Sequence, residues 1–224
     1  MDVQALYDAN YETDKITLIQ SVFLMSHWYA TSDDRAGPWH WNGIAISLSH
    51  TLGLHRLPTH APEGPGANSS TKRVWRRIWW SIYCREAWIS LGQGRPMRIS
   101  LDDSDTALPG LHDTEEHVAS AIPEEVKFKY LPREMDELFN LWRSFVKLGI
   151  ALSTILSTNY KAKATKPTRA QLERGESEIR ACAFPTPESI HRSRLIASHF
   201  YQFKLCFELV APHWSSPVHK LTTK

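Results

Sequence analysis

Three cysteines, eleven histidines and a run of aspartates are the residues of this 224-residue chain that could support chemistry. Their spacing decides what each can do. Cys84, Cys182 and Cys206 lie far apart and form no C-x-x-C pair, which argues against a cysteine zinc site or disulfide framework and for reduced thiols. Cys84 has Arg85 beside it, which would lower its pKa, but no histidine lies in register to act as base. A buried structural thiol is therefore expected. His50 and His55 are five apart, as are His112 and His117; on a helix that spacing does not align two ligands on one face, and no H-E-x-x-H motif is present. Asp102, Asp103 and Asp105 lack the glycine and later glutamate of a calcium loop. The G-Q-G-R-P run at 92–96 ends a helical pattern instead of opening one after a strand, so it is not a dinucleotide loop. Neither a phosphate loop nor a G-x-S-x-G elbow occurs. The sequence assigns no catalytic residue, no cofactor-binding residue and no metal ligand.

The densest pattern is the stretch from Arg73 to Pro96, which crowds Trp75, Trp79, Trp80, Tyr83 and Trp88 among arginines with Glu86 as its one acid. On a helix over about 72–91, Trp75, Ile78, Trp79, Ile82 and Glu86 or Ile89 share a broad face. Arg73, Arg76, Arg77 and Trp80 fall mostly on the other side. An aromatic stripe at helical spacing reads as core, because a nucleic-acid platform would carry its aromatics exposed on a sheet or groove. Seven basic residues lie between Lys72 and Arg98, directly before eight acids between Asp102 and Glu125. Internal pairing with Asp102, Asp103 and Asp105 accounts for both runs.

The elements that would hold this helix follow from periodicity. Residues 16–30 and 39–54 carry apolar residues at helical steps and are joined at Gly37-Pro38, which predicts an antiparallel helical hairpin. Small residues such as Gly43 and Ala45 would let its backbones approach closely. Residues 57–71 hold three prolines and two glycines and read as a loop. Ser70 or Thr71 is the expected cap of the next helix, which Gly92, Gly94 and Pro96 stop. An extended acidic connector occupies 110–132. Helix resumes at about 133–158, briefly from Thr168, and again over 187–210. That last helix would start at Pro187, end at Pro212, and present Ile190, Leu195, Ile196, His199, Phe203, Leu205 or Cys206, and Leu209 as one face. No segment reads as a strand. The fold class expected is all-α, a multi-helix bundle or irregular helical array with long loops, in one domain spanning 1–224.

Composition narrows the setting. Hydrophobic residues make up 42% and the formal net charge is +2, without the basic excess of a free-standing nucleic-acid binder. The acidic N-terminus lacks the pattern of a signal peptide, and no apolar run approaches the roughly 20 residues of a membrane span. An intracellular, soluble protein with no membrane partner is expected.

The run from His40 to Arg56, "HWNGIAISLSHTLGLHR", the R-R-x-W-W-x-x-Y segment from Arg76 to Tyr83, the G-R-P-x-x-I segment from Gly94 to Ile99 and the trailing acidic segment Asp103 to Pro109 occur in a fixed order. Together they resemble the fungal-specific transcription factor domain, the middle homology region of fungal zinc-cluster regulators, over residues 16–109. The family usually carries aspartate about where Glu86 stands. The resemblance implies a regulatory region controlling transcription in the nucleus, through other transcriptional regulators, a second copy of itself or a small effector. A DNA-independent scaffold or corepressor on the same helices is the alternative. It implies Trp41, Gly43, Arg76, Arg77, Trp79, Trp80, Tyr83, Gly94, Arg95 and Pro96 as the motif residues. Zinc is expected only in the family's N-terminal cysteine cluster, which this sequence does not contain, so DNA contact is expected only through a separate N-terminal domain. Arg95 either pairs with Asp102 or Asp103 or stands at the mouth of an effector pocket between the 39–54 and 72–91 helices.

Overall fold

A computed structural model of the chain describes residues 3–28, 37–57, 69–110, 123–159 and 168–215. Every extended regular element among them is helical, as the periodicity predicts. The chain divides into two compact units, Met1–Asp113 and Thr114–Lys224.

In the first unit, α1 (Val3–Asp8) is a short helix that the sequence reading does not assign. Asp14 caps α2 (Lys15–Met25), its carboxylate accepting from the Thr17 amide at 2.7 Å. Helix α2 ends earlier than the pattern to residue 30 suggests. Pro38 opens α3 (Pro38–Thr51), where its missing N–H leaves no bond unmade. Gly53, at φ 74°, closes it in a Schellman turn: Leu54 N–H bonds Ser49 C=O and Gly53 N–H bonds His50 C=O, each at 3.0 Å. The following Leu54 is fully buried. Helix α4 (Ser69–Gln93) ends in the same way, with Gly94 at φ 61°, Arg95 N–H on Ser90 C=O and Gly94 N–H on Leu91 C=O. Pro96 then prevents continuation.

Helix α3 packs on both α2 and α4, and α2 also touches α4. The middle of α4 is buried almost all round, through Ile78, Trp79, Trp80, Ile82, Tyr83, Cys84, Glu86, Ala87, Ile89 and Ser90. Such a helix is a central element and not a surface one. A strap runs from residue 94 to residue 110, with one 3-10 turn at Leu101–Asp103 capped by Ser100. Its extended part lies beside residues 55–57: Asp105 N–H bonds His55 C=O at 3.0 Å and Ala107 N–H bonds Leu57 C=O at 3.1 Å.

The second unit begins with α5 (Glu124–Tyr130), whose two glutamates in the first turn and two lysines in the last complement the helix dipole. This helix lies in the stretch expected to be an extended connector. Helices α6 (Met135–Asn159), α7 (Arg169–Ala181) and α8 (Arg194–Ser215) pack pairwise on one another. A Thr168–Gln171 capping box starts α7. The shared core holds Leu148, Leu152, Ile155, Ile179, Ile196 and Phe203.

Helix α8 corrects the sequence reading. Residues 188–192 form turns, so Pro187 lies outside the helix, and Ser193 Oγ accepts from the Ile196 amide at 3.3 Å. The helix continues to Ser215, past Pro212. Ile196, Phe200, Phe203 and Val210 face the core, while His199, Leu195, Leu205 and Leu209 do not.

Candidate regulatory site at the junction of α3 and α4

Glu86 projects from the apolar face of α4 and has no solvent exposure. A carboxylate so placed must be saturated with donors, because stripping its water costs several kcal/mol. Four donors converge on it. Asn42 Nδ2 from α3 reaches Oε2 at 2.8 Å. Arg98 supplies the others, with its backbone N–H and Nε on Oε1 at 3.0 and 2.9 Å and Nη2 on Oε2 at 2.6 Å. The remaining guanidinium nitrogen, Nη1, donates to Trp39 C=O at 2.8 Å, and the guanidinium carbon lies 3.8 Å from the Trp39 ring centroid. Gly43 makes this possible, since a Cβ there would collide with Arg98 Nη1. A carboxylate held by an arginine fork, a backbone N–H and a side-chain amide is a structural tie, not a general base.

Along α3 from this tie, Trp79 is wholly buried and meets two imidazoles. Its ring centroid lies 5.4 Å from His50 and 5.9 Å from His55, and the two imidazoles stand edge-on at 4.7 Å. The five-residue spacing separates these histidines only on a continuing helix. The left-handed turn at Gly53 ends α3 and folds His55 back onto His50. Burial, with the neighbouring His55, lowers the His50 pKa below the ordinary histidine value, opposed by Asp103. Among the described residues no three His, Cys, Asp or Glu side chains are placed to share a metal ion. Ser49 Oγ, Trp79 Nε1 and His55 Nδ1 are buried and have no hydrogen-bond partner among the described residues.

The strap seals the outer side. Thr106 Oγ1 donates to Leu54 C=O at 2.7 Å and accepts from the Leu57 amide at 3.1 Å. Trp80 Nε1 donates to Ala107 C=O at 2.8 Å. Trp80, expected on the far side of the helix from the core, is therefore nearly as buried as Trp79: the strap folds back over the face that helical periodicity leaves open.

The other motif residues divide between this junction and its margin. Trp41 and Tyr83 are buried, with Tyr7 edge-on to Trp41 at 5.6 Å and Trp80 edge-on to Tyr83 at 5.4 Å. Arg76 and Arg77 are half-buried on α4, and both are engaged by neighbouring groups. Gly94 and exposed Pro96 shape the turn. Arg95 pairs with neither Asp102 nor Asp103; it lies 5.2 Å over the Trp39 ring. Asp105 pairs instead with Arg56 at 3.0 Å, with both partners largely in solvent. Arg85 reaches Ser26 C=O on the α2 side. The sequence reading misses Asn42, Trp39, Thr106 and above all Arg98. The available signal was Glu86 itself, one acid at a core position, which requires a cation from elsewhere. Cys84 is buried, and burial raises its thiol pKa above the ordinary value, which disfavours the reactive thiolate.

The family model described as "Fungal specific transcription factor domain" matches residues 3–181. The chain is 38% identical over 162 residues to cutinase transcription factor 1 beta of Fusarium vanettenii, covering 69% of this chain and 18% of that protein. It is 28% identical over 181 residues to cutinase transcription factor 1 alpha of the same fungus, covering 79% of this chain and 18% of the relative. An acetamidase regulatory protein of Aspergillus fumigatus is 33% identical over 105 residues, 46% of this chain and 13% of the relative. The chain thus spans less than a fifth of the length of these relatives. No solved structure matches it.

Proposed function

Because the chain belongs to the fungal-specific transcription factor domain family, we propose that it is the regulatory region of a fungal transcription regulator, acting in the nucleus through contacts with other regulatory proteins or a small effector. The match over residues 3–181 carries this reading. The relatives named for targets differ, cutinase for two of them and acetamidase for the third, so what they share by name is transcriptional control and not one target gene.

The geometry supports a regulatory part without catalysis. The one deeply buried carboxylate of the junction is spent on Arg98 and Asn42, and burial disfavours the reactive thiolate of Cys84. The α3–α4 junction supports the effector arm of the reading. Ser49 Oγ, Trp79 Nε1 and His55 Nδ1 bond no described protein group, and they are the polar atoms of the junction that an effector or a water would address. In this reading the zinc and the DNA contact belong to an N-terminal cysteine cluster outside this sequence.

The test is a tethering experiment in fungal cells. The chain is fused between a heterologous DNA-binding domain and an independent activation domain, and reporter output is compared with the same fusion lacking it. The proposal expects the chain to alter output, and Ser49→Val, which removes one buried hydroxyl, to alter its response to growth medium. Identical output with and without the chain, at matched protein levels, refutes a regulatory role.

A further inference from the structure

Helix α8 carries apolar residues on two opposite faces. One is the core face of the second unit; the other is exposed, with Leu195 at 39%, Tyr201 at 58%, Leu205 at 63% and Leu209 at 48%. With the small, uncharged Ser198, also exposed, these residues recur at steps of three and four and form a stripe roughly 21 Å long at 1.5 Å per residue. Surface helices of globular proteins normally place charge there. The stripe lies beyond residues 3–181 and so outside the family match.

We propose that this stripe is a self-association surface that pairs α8 with α8 of a second copy, antiparallel about a two-fold axis near Tyr201. The order of residues along the stripe selects this occupant. A two-fold placed there sets residue i opposite residue 402–404 minus i of the other copy. Leu195 then meets Leu209, the small Ser198 faces the large Leu205, and Tyr201 meets its own symmetry mate. The same register sets Arg194 opposite Glu208 at both ends. Both side chains are exposed, lie on the stripe side of the helix, and enter no ion pair among the described residues. Parallel pairing in register would instead set Arg194 on Arg194 and Glu208 on Glu208, a like-charge penalty at each end. Large against small, aromatic on aromatic and plus against minus is the pattern of a self-complementary surface. It owes nothing to the α3–α4 junction, so either can fail without the other.

One helix pair buries an area at the low end of specific interfaces, below about 1,200 Å² in total, so the dimer is weak. Sedimentation equilibrium on the whole chain from about 1 to about 300 µM spans that range. The expected result is a mass rising towards the dimer with concentration. Leu205→Asp weakens association at least about tenfold with an unchanged helical circular dichroism spectrum. Arg194→Glu and Glu208→Arg each weaken it, and the double reversal restores it, which a merely hydrophobic or unfolded contact would not do. A chain monomeric throughout, a dimer indifferent to Leu205→Asp, or a double reversal no tighter than the single changes overturns the proposal.

Discussion

Replacing Gly43 by alanine should destabilise the first unit only while Arg98 is present. In an exposed helix interior glycine to alanine is stabilising by about 0.5–1 kcal/mol. Here the new methyl would collide with Arg98 Nη1. A free arginine would swing away cheaply, but this guanidinium is fixed by Glu86 through Nε and Nη2, by Trp39 C=O through Nη1, and by the Trp39 ring. Displacing it strips two of the four donors, and the paired charge, from a carboxylate with no water access. Removing one partner of a buried pair costs about 3–5 kcal/mol, and Arg98, whose side chain is 28% exposed, places Arg98→Ala at the lower end, about 3 kcal/mol. Gly43→Ala alone should cost about 1–3 kcal/mol, since the guanidinium retains part of its bonding in a shifted position. Gly43→Ala in an Arg98→Ala background should cost nothing or stabilise slightly. Urea unfolding of the four proteins, followed by tryptophan fluorescence, gives a double-mutant cycle whose coupling should exceed about 1 kcal/mol. Equal costs for Gly43→Ala in both backgrounds would refute the argument that Gly43 exists to admit Arg98.

Trp79→Ala should cost about 3–5 kcal/mol, as deletion of a fully buried aromatic does, and be visible as a large drop in the urea midpoint. Trp80→Phe keeps most of the packing but loses the bond to Ala107 C=O, so a loss of about 0.5–1.5 kcal/mol is expected, with faster amide exchange across residues 104–107. His27 and His50 both have pKa values lowered chiefly by burial. The unfolded chain therefore takes up their protons first, and stability present above the ordinary histidine pKa falls as pH drops through the lowered values. The melting temperature should decline from pH 7 to pH 5, and His50→Gln should flatten that decline. Cys84 should resist a thiol reagent in the native protein and react only after unfolding, as mass spectrometry of labelled peptides would report.

The parts legible in the sequence were those fixed by local periodicity. The long aromatic pattern and the glycine–proline stop give α4 within a few residues, and Thr168 marks the start of α7. What stayed hidden depended on chain returning from a distance. The burial of Trp80 comes from the strap folding back over α4, which no window centred on α4 contains. The His50–His55 contact needs the left-handed turn at Gly53, whereas the spacing argument assumes continued helix. Arg98 counts as one more basic residue because nothing local distinguishes it from Arg95; only the burial of Glu86 separates them. The error in α8 is one of phase. Starting the helix at Pro187 instead of Arg194 joins residues of both faces into one, which conceals the exposed stripe. Helices α1 and α5, of six and seven residues, are too short to show a period and depend on their surroundings to form.

The clasp between Leu54 and Thr106 closes a circuit of 52 residues that contains all of α4. Because closure entropy rises only with the logarithm of contour length, ten residues added between Leu57 and Ser69 raise the cost of closing that circuit by about 0.2 kcal/mol. Shortening α4 by a single turn is a different matter, since the helix is a rod whose length sets where the strap can reach. Closing the circuit is thus insensitive to added contour length and sensitive to the length of its helix. A peptide tag or small reporter domain spliced into 58–68 should leave the clasp and the tie at Glu86 intact, which makes that stretch the natural place to attach a probe of the junction.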